Sequence, residues 1–210
     1  MRRRIAGIVI AFAAVALAGP AAAQAATLAV SGSKSCYRAG DSLTLSGSGY
    51  TPNGPVDVTL DGHDLGQLTA DASGNINSPL QVGNLRGVRT RALVASDATN
   101  PALTATASFL GSALVVGVKP HNGTAGRKLR IAASGFTTGK RLYAHIRRKH
   151  YRRNVFIGKL KGPCHTLKVR KPVLGAGTPK GVYKVQFDTK KRYSKKTKVW
   201  FRFSVTVTCG

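Results

Sequence analysis

The chain has 210 residues and a formal net charge of +26, from 33 Lys and Arg against seven acidic residues, all of them Asp. Hydrophobic residues make up 42% of the sequence, which is enough for a folded core and excludes a wholly disordered chain. Because Glu is absent and Asp188 is the one acid after residue 112, the second half cannot carry hydrolysis by a pair of carboxylates.

The amino-terminal segment has the layout of a secretory signal peptide. Three arginines at positions 2–4 precede an apolar run at 5–19, and Ala23-Gln24-Ala25 fits the small-residue pattern of a cleavage site. The run is shorter than the ~20 residues that span a bilayer, and an uncleaved anchor is the alternative. We expect residues 1–25 to be a signal peptide and the mature protein to be secreted, either extracellular or associated with the cell envelope.

An internal repeat divides the rest of the chain. Residues 27–60 align without a gap to residues 113–146, and the shared apolar positions alternate with the two-residue period of β-strands. Identical pairs include Leu28/Leu114, Val30/Val116, Gly40/Gly126, Leu43/Leu129, Ser48/Ser134 and Gly49/Gly135. We therefore predict two domains, a first unit at residues 26–112 and a second unit at residues 113–210.

Each unit is predicted to contain about seven short strands. Leu43 and Leu45, and then Val56, Val58 and Leu60, fall on one face of their strands, which is typical of a half-buried antiparallel sheet. The predicted fold class is all-β, with two tandem immunoglobulin-like (Ig-like) β-sandwich domains after the signal peptide. In the first unit we predict strands near 27–31, 42–46, 56–60, 66–70, 76–82, 90–96 and 103–109.

Several stretches resemble known secreted proteins. The sequence AGDSLTLSGSGYTPNGPVDVTLDG (39–62) resembles the start of bacterial Ig-like repeats. LTADASGNINSPLQV (68–82) is similar to a hairpin of secreted Ig-like domains of high-GC Gram-positive (actinobacterial-type) bacteria, and to the neocarzinostatin family. The resemblance implies the fold and secretion. Neocarzinostatin-like domains carry two disulfides, whereas the first unit has Cys36 alone, so their chromophore binding is not implied here.

The positive charge is concentrated in the second unit. The first unit has five Lys and Arg against six Asp, a net charge of −1, whereas the second has 25 Lys and Arg against Asp188, a net charge of +24. A soluble domain normally keeps its net charge to roughly 2–8, and a larger excess repels itself. This asymmetry predicts a polyanionic partner for the second unit.

The candidate binding residues are the basic residues of loops and outward strand positions in the second unit. RRKHYRRN (147–154) is predicted to be an exposed, mobile hairpin tip between a strand ending near Ile146 and one beginning near Val155. The predicted polyanion-binding residues are Arg147, Arg148, Lys149, Arg152, Arg153, Lys128, Arg130, Lys168, Arg170, Lys190, Lys191, Arg192, Lys195 and Lys196.

No motif for catalysis or metal binding stands out. The sequence lacks a G-x-S-x-G nucleophile motif, and Asp61, Asp64 and Asp71 miss the EF-hand spacing and flank turns instead. Cys164 and His165 are adjacent, so in a strand their side chains would point to opposite sides. We expect a non-enzymatic protein without catalytic residues, metal, cofactor or small-molecule substrate.

Three functional hypotheses follow. The first is a secreted surface protein that binds an extracellular polyanion by electrostatics: an anionic wall polymer, an acidic glycan or an anionic membrane surface. The second is nucleic-acid binding outside the cytoplasm, in which Tyr151, Tyr193 and Trp200 would stack on bases. The third is a structural or adhesive spacer whose charge is incidental. Secretion favours the first hypothesis over the second.

The three cysteines, Cys36, Cys164 and Cys209, allow one disulfide and one remaining thiol. Strand direction places Cys36 at the end of the first unit that faces the second, and Cys164 at the end of the second unit nearest the first. We therefore expect a Cys36–Cys164 disulfide between the units. The competing pair is Cys164–Cys209 within the second unit.

Overall fold

The computed structural model describes residues 25–195 and 199–206, and all regular structure in these ranges is β-strand. The strands of the first half are β1 (Thr27–Ser31), β2 (Ser42–Ser48), β3 (Pro55–Leu60), β4 (His63–Thr69), β5 (Ile76–Gln81), β6 (Val88–Asp97) and β7 (Thr104–Ser112). Those of the second half are β8 (Val115–Lys119), β9 (Asn122–Gly123), β10 (Lys128–Ser134), β11 (Arg141–Arg148), β12 (Tyr151–Lys159), β13 (Leu167–Pro172), β14 (Gly181–Asp188) and β15 (Trp200–Val205).

The first half forms a sandwich of two antiparallel sheets. One sheet has the strand order β1-β2-β5 and the other β4-β3-β6-β7. The predicted inward residues Leu43, Leu45, Val56, Val58 and Leu60 are all buried between them. The all-β sandwich prediction is therefore confirmed, and each of the seven strands predicted for this half overlaps an observed strand.

The second half repeats the arrangement. A three-stranded sheet, β13-β10-β8, packs on a five-stranded sheet, β12-β11-β14-β15-β9, around a second core. The chain changes sheet between β8 and β9, and β9 pairs parallel with β15. In the first half the isolated parallel bridge between Tyr37 and Gly111 occupies the same place, because residue 37 aligns with residue 123 in the repeat.

The repeat is visible in single residues. Strand β2 aligns with β10 over its full length, and the glycines that follow, Gly49 and Gly135, have φ angles of 86° and 76°. A Cβ at either position would also crowd backbone, at 3.0 Å from the Ala25 carbonyl oxygen and 2.4 Å from that of Ala113. Both glycines are therefore required by conformation and by space.

A disulfide joins the two halves. Cys36, between β1 and β2, is bonded to Cys164, between β12 and β13, with an S–S distance of 2.01 Å. This is the pair that strand direction predicted. Cys209 lies outside the described residues, as does the predicted signal peptide apart from Ala25. The domain limits 26–112 and 113–210 stay a prediction, although the buried apolar residues do form one cluster within 37–109 and another within 118–205.

Candidate functional site

The RRKHYRRN segment is strand for most of its length. Strand β11 runs to Arg148 and β12 starts at Tyr151, so only Lys149 and His150 form the turn. Lys149 has a φ of 28°, in the left-handed half of conformational space that two-residue hairpin turns use. The predicted hairpin is present, and residues 148–150 and 152–154 are exposed as predicted. The predicted strand limits near Ile146 and Val155 are wrong, because cations are tolerated in a strand whenever their side chains face solvent.

Strand register lines up four cations across the five-stranded sheet. Arg147 of β11 pairs with Arg152 of β12 on one side and with Lys184 of β14 on the other. Lys184 pairs in turn with Arg202 of β15. These four residues, which we call the four-cation row, lie on the sheet face that points away from the core. Neighbouring strands are about 4.8 Å apart, so the row spans about 14 Å.

The four-cation row lines an open depression of about 700 Å³. Arg152, Lys184 and Arg202 are exposed, whereas Arg147 is partly buried, with its guanidinium carbon 4.1 Å from the centre of the Tyr193 ring. Lys195, in the loop after β14, borders the same depression. The depression is therefore positive on several sides, and Arg147 is fixed in place by an aromatic ring.

Strand alternation turns two arginines of the predicted tip, Arg148 and Arg153, away from this row, although Arg148 also lines the depression. Arg148 Nη1 donates to the Lys180 carbonyl oxygen at 2.6 Å and to the Tyr183 hydroxyl at 3.3 Å. Gly181 leaves space for the Arg148 guanidinium, because a Cβ atom at position 181 would clash with it. Arg153 alternates with Arg152 along β12 and lies against Gly175. Arg148 is thus engaged partly in holding the loop before β14.

A second row crosses the three-stranded sheet. Arg130 of β10 pairs with Arg170 of β13 on one side and with Lys119 of β8 on the other. All three are exposed, and we call them the three-cation row. Depressions of about 420 Å³ and 510 Å³ flank the row, and all three residues line both. The predicted residues Lys128 and Lys168 lie on the same face, one on each side of the row.

The remaining predicted residues lie in the loop after β14. Lys190, Lys191 and Arg192 are exposed there, and Lys196 falls outside the described residues. Lys119, Lys184 and Arg202 belong to the two rows but were not assigned to the site from the sequence. Their outward position in alternating strands was the available signal, since every second residue of a strand faces solvent.

Carboxylates are scarce beside these cations. In the part of the chain that the structure describes, the ion pairs are Lys34–Asp41, Arg91–Asp61 and His145–Asp188, and none includes a member of either row. Asp188 is buried, and its carboxylate accepts hydrogen bonds from the backbone NH of Lys190 and the side chain of Gln186. The one acid of the second half is therefore used internally.

The aromatic residues offer little open surface for stacking on bases. Tyr151 packs edge-on against the buried Tyr183 at 5.3 Å, and Tyr193 is covered by Arg147. Trp200 remains 46% exposed, with its ring 6.4 Å from that of Tyr193. One indole beside the four-cation row is thus the principal candidate for a stacking contact.

The described residues show neither a metal centre nor a membrane helix. Within 25–195 and 199–206, side chains of His, Cys and Asp nowhere gather in a group of three that could hold a metal ion. No helix with the length and apolarity needed to cross a membrane occurs in the same ranges.

Comparisons with known proteins give distant structural likenesses. No protein-family model and no curated protein matches the chain. One similar solved structure is adhesin InvE of Yersinia pseudotuberculosis, with 13% identity over 87% of this chain and 59% of that chain and a TM-score of 0.37. A second is a protein of Corynebacterium diphtheriae described as a putative membrane anchored protein, with 11% identity over 85% of this chain and 57% of that chain and a TM-score of 0.34. A third is a protein of the mixed-linkage glucan utilization locus of Bacteroides ovatus, solved with a mixed-linkage heptasaccharide. It has 14% identity over 82% of this chain and 43% of that chain and a TM-score of 0.30. The chain spans less than two thirds of each, and likenesses this distant carry no argument about function.

Proposed function

We propose that the protein is a secreted, non-enzymatic surface protein whose second sandwich binds extracellular polyanions. The observation that carries this proposal is the four-cation row, in which Arg152, Arg147, Lys184 and Arg202 stand side by side across four strands. The expected signal peptide supports an envelope polymer as the partner: a phosphate-bearing wall polymer, an acidic glycan or an anionic membrane surface.

The energetics of the sheet favour a bound anion. Like charges directly opposite each other on neighbouring strands are destabilising, and the row contains three such pairs without a neighbouring carboxylate in the described residues. A polyanion laid along the row neutralises them together and releases its own condensed counterions. Binding of this kind selects charge density rather than a particular sequence or sugar.

The test uses the full chain and two matched double variants. Lys184→Gln with Arg202→Gln removes two members of the row, and Arg86→Gln with Arg89→Gln removes the same charge from exposed sites in the first half. Affinity for a heparin oligosaccharide is measured at several salt concentrations. We expect the first variant to reduce the slope of log affinity against log salt by about 2, and the second to leave it nearly unchanged.

Two results would contradict the proposal. Equal losses in both variants would mean that net charge, and not the row, determines binding. Binding that persists at ~1 M salt, where the screening length is only ~3 Å, would indicate a specific pocket instead.

A comparison of single-stranded with duplex DNA at matched salt tests the nucleic-acid hypothesis. A strong preference for the single strand that is lost in Trp200→Ala would favour that hypothesis.

A further inference from the structure

The two cation rows lie on opposite faces of one sandwich. Arg130 alternates along β10 with the buried Leu129 and Ile131, so its side chain points out of the three-stranded sheet. Lys184 alternates along β14 with the buried Tyr183 and Val185 and points out of the five-stranded sheet. The sheets share one core and are about 10 Å apart, so the rows face in opposite directions.

Each row has the composition of an anion-binding surface of its own. The three-cation row places Arg130 directly opposite two other cations, as the four-cation row does for Arg147 and for Lys184. Neither row includes a residue of the ion pairs found in the described ranges. The repulsion argument therefore applies to both sheets independently.

A stiff polyanion cannot occupy both rows at once. Duplex DNA bends smoothly only over ~150 base pairs, so a duplex of about 20 base pairs behaves as a straight rod. A rod on the outer face of one sheet leaves the outer face of the other exposed to solvent. A protein with two such faces offers separate positions to two rods.

We propose that the second sandwich is bivalent: it binds one polyanion chain on each face and so bridges two chains. The partner of the three-cation row is again a linear polyanion bearing phosphate or sulfate groups. The inference rests on the proposed function for the four-cation row and adds the second site and the bridging. In a polymer network the protein would act as a non-covalent crosslink.

Bridging is tested by sequential capture with the full-length protein. A biotinylated 20-base-pair duplex on a surface binds the protein, excess protein is washed away, and a fluorescent duplex of the same length is then added. The protein is loaded as the monomer fraction from size-exclusion chromatography, and we expect the wild type to retain the second duplex. Higher salt should release both duplexes, since each contact depends on counterion release.

Variants of one face at a time separate bridging from binding. Arg130→Gln with Arg170→Gln is expected to reduce capture of the second duplex about tenfold or more, while the first duplex still binds the protein through the four-cation row. Lys184→Gln with Arg202→Gln should likewise reduce capture of the second duplex, while the first duplex binds the protein through the three-cation row. The control is Arg86→Gln with Arg89→Gln, which should bridge as the wild type does.

Three outcomes would overturn bivalency in different ways. A wild-type protein that binds the first duplex and never captures the second has a single site, and the proposed function would survive. Undiminished bridging by Arg130→Gln with Arg170→Gln would place the second contact elsewhere or between copies of the chain. If a variant that combines Arg130→Gln, Arg170→Gln, Lys184→Gln and Arg202→Gln binds the first duplex as tightly as the wild type does, the proposed function itself fails together with bivalency.

Discussion

The neighbours of each basic residue determine whether its charge is available to a partner. Arg148 is engaged by the Lys180 carbonyl oxygen and the Tyr183 ring, and Arg147 is stacked on Tyr193. Lys184, by contrast, is exposed and extends from the middle of the four-cation row. Adjacent arginines in the sequence thus serve different purposes, because successive side chains of a strand face opposite sides of the sheet.

Asp97 provides a pH-dependent part of the stability of the first sandwich. It is buried and accepts hydrogen bonds from the Thr99 hydroxyl at 2.7 Å and the Thr51 backbone NH at 2.7 Å. These bonds hold the pKa of its carboxyl far below the usual value in the folded protein. A pKa that is lower in the folded state gives stability that is present above the unfolded value of ~3.9 and is lost as the pH falls below it.

Asp97→Asn is therefore expected to lower the free energy of unfolding at pH 7 and to flatten its decrease between about pH 5 and pH 2. Urea unfolding at a series of pH values measures both effects. Asp41, Asp61 and Asp71 also have lowered pKa values, so the decrease should be reduced and not abolished. The control is Asp57→Asn at an exposed position, and an identical pH profile for the two variants would refute the role of Asp97.

At the scale of the strand, the rows proposed to bind polyanions place like charges opposite each other, which opposes folding. Lys184 lies directly between Arg147 and Arg202, and opposed like charges cost about 0.2–1 kcal/mol per pair. We expect Lys184→Gln to raise the free energy of unfolding by about 0.5–1 kcal/mol in low salt, and by much less at ~1 M salt, where charges are screened. Urea unfolding at the two salt concentrations measures the difference.

Lys180→Gln is the matched control, since Lys180 is exposed in the turn before β14 and has no cation paired across a strand. It removes the same charge without relieving a cross-strand pair. An equal gain in both variants would mean that the total charge of the second half, and not the register of its strands, sets the repulsion.

The strands are predictable from the sequence, but their pairing is not. The alternation of Leu43 and Leu45 with polar residues is sufficient to indicate β2 and its inward face. It contains no information on register, and register alone brings Arg147 beside Lys184, 37 positions later, and Lys119 beside Arg130. The limits of the hairpin strands, but not the hairpin itself, differ from the prediction for a related reason: the apolar alternation stops at Ile146, while backbone pairing continues to Arg148.

For the whole molecule, the disulfide connects two cores that are otherwise built from separate parts of the chain. Cys36 and Cys164 are 1% and 2% exposed and 128 residues apart in sequence. The first core draws on residues 37–109 and the second on residues 118–205. Backbone contacts at the junction include the hydrogen bond from the Ala113 NH to the Gly87 carbonyl oxygen at 2.9 Å.

Removal of the bridge should therefore uncouple the halves more than it destabilises either core. We expect Cys36→Ser with Cys164→Ser to lower overall stability by about 2–4 kcal/mol and to replace one cooperative calorimetric transition by two. Cys209→Ser is the control and should unfold as the wild type does. A single transition at the wild-type midpoint in the double variant would show that contacts other than the disulfide couple the halves, and a Cys164–Cys209 peptide in non-reducing mapping would refute the pairing itself.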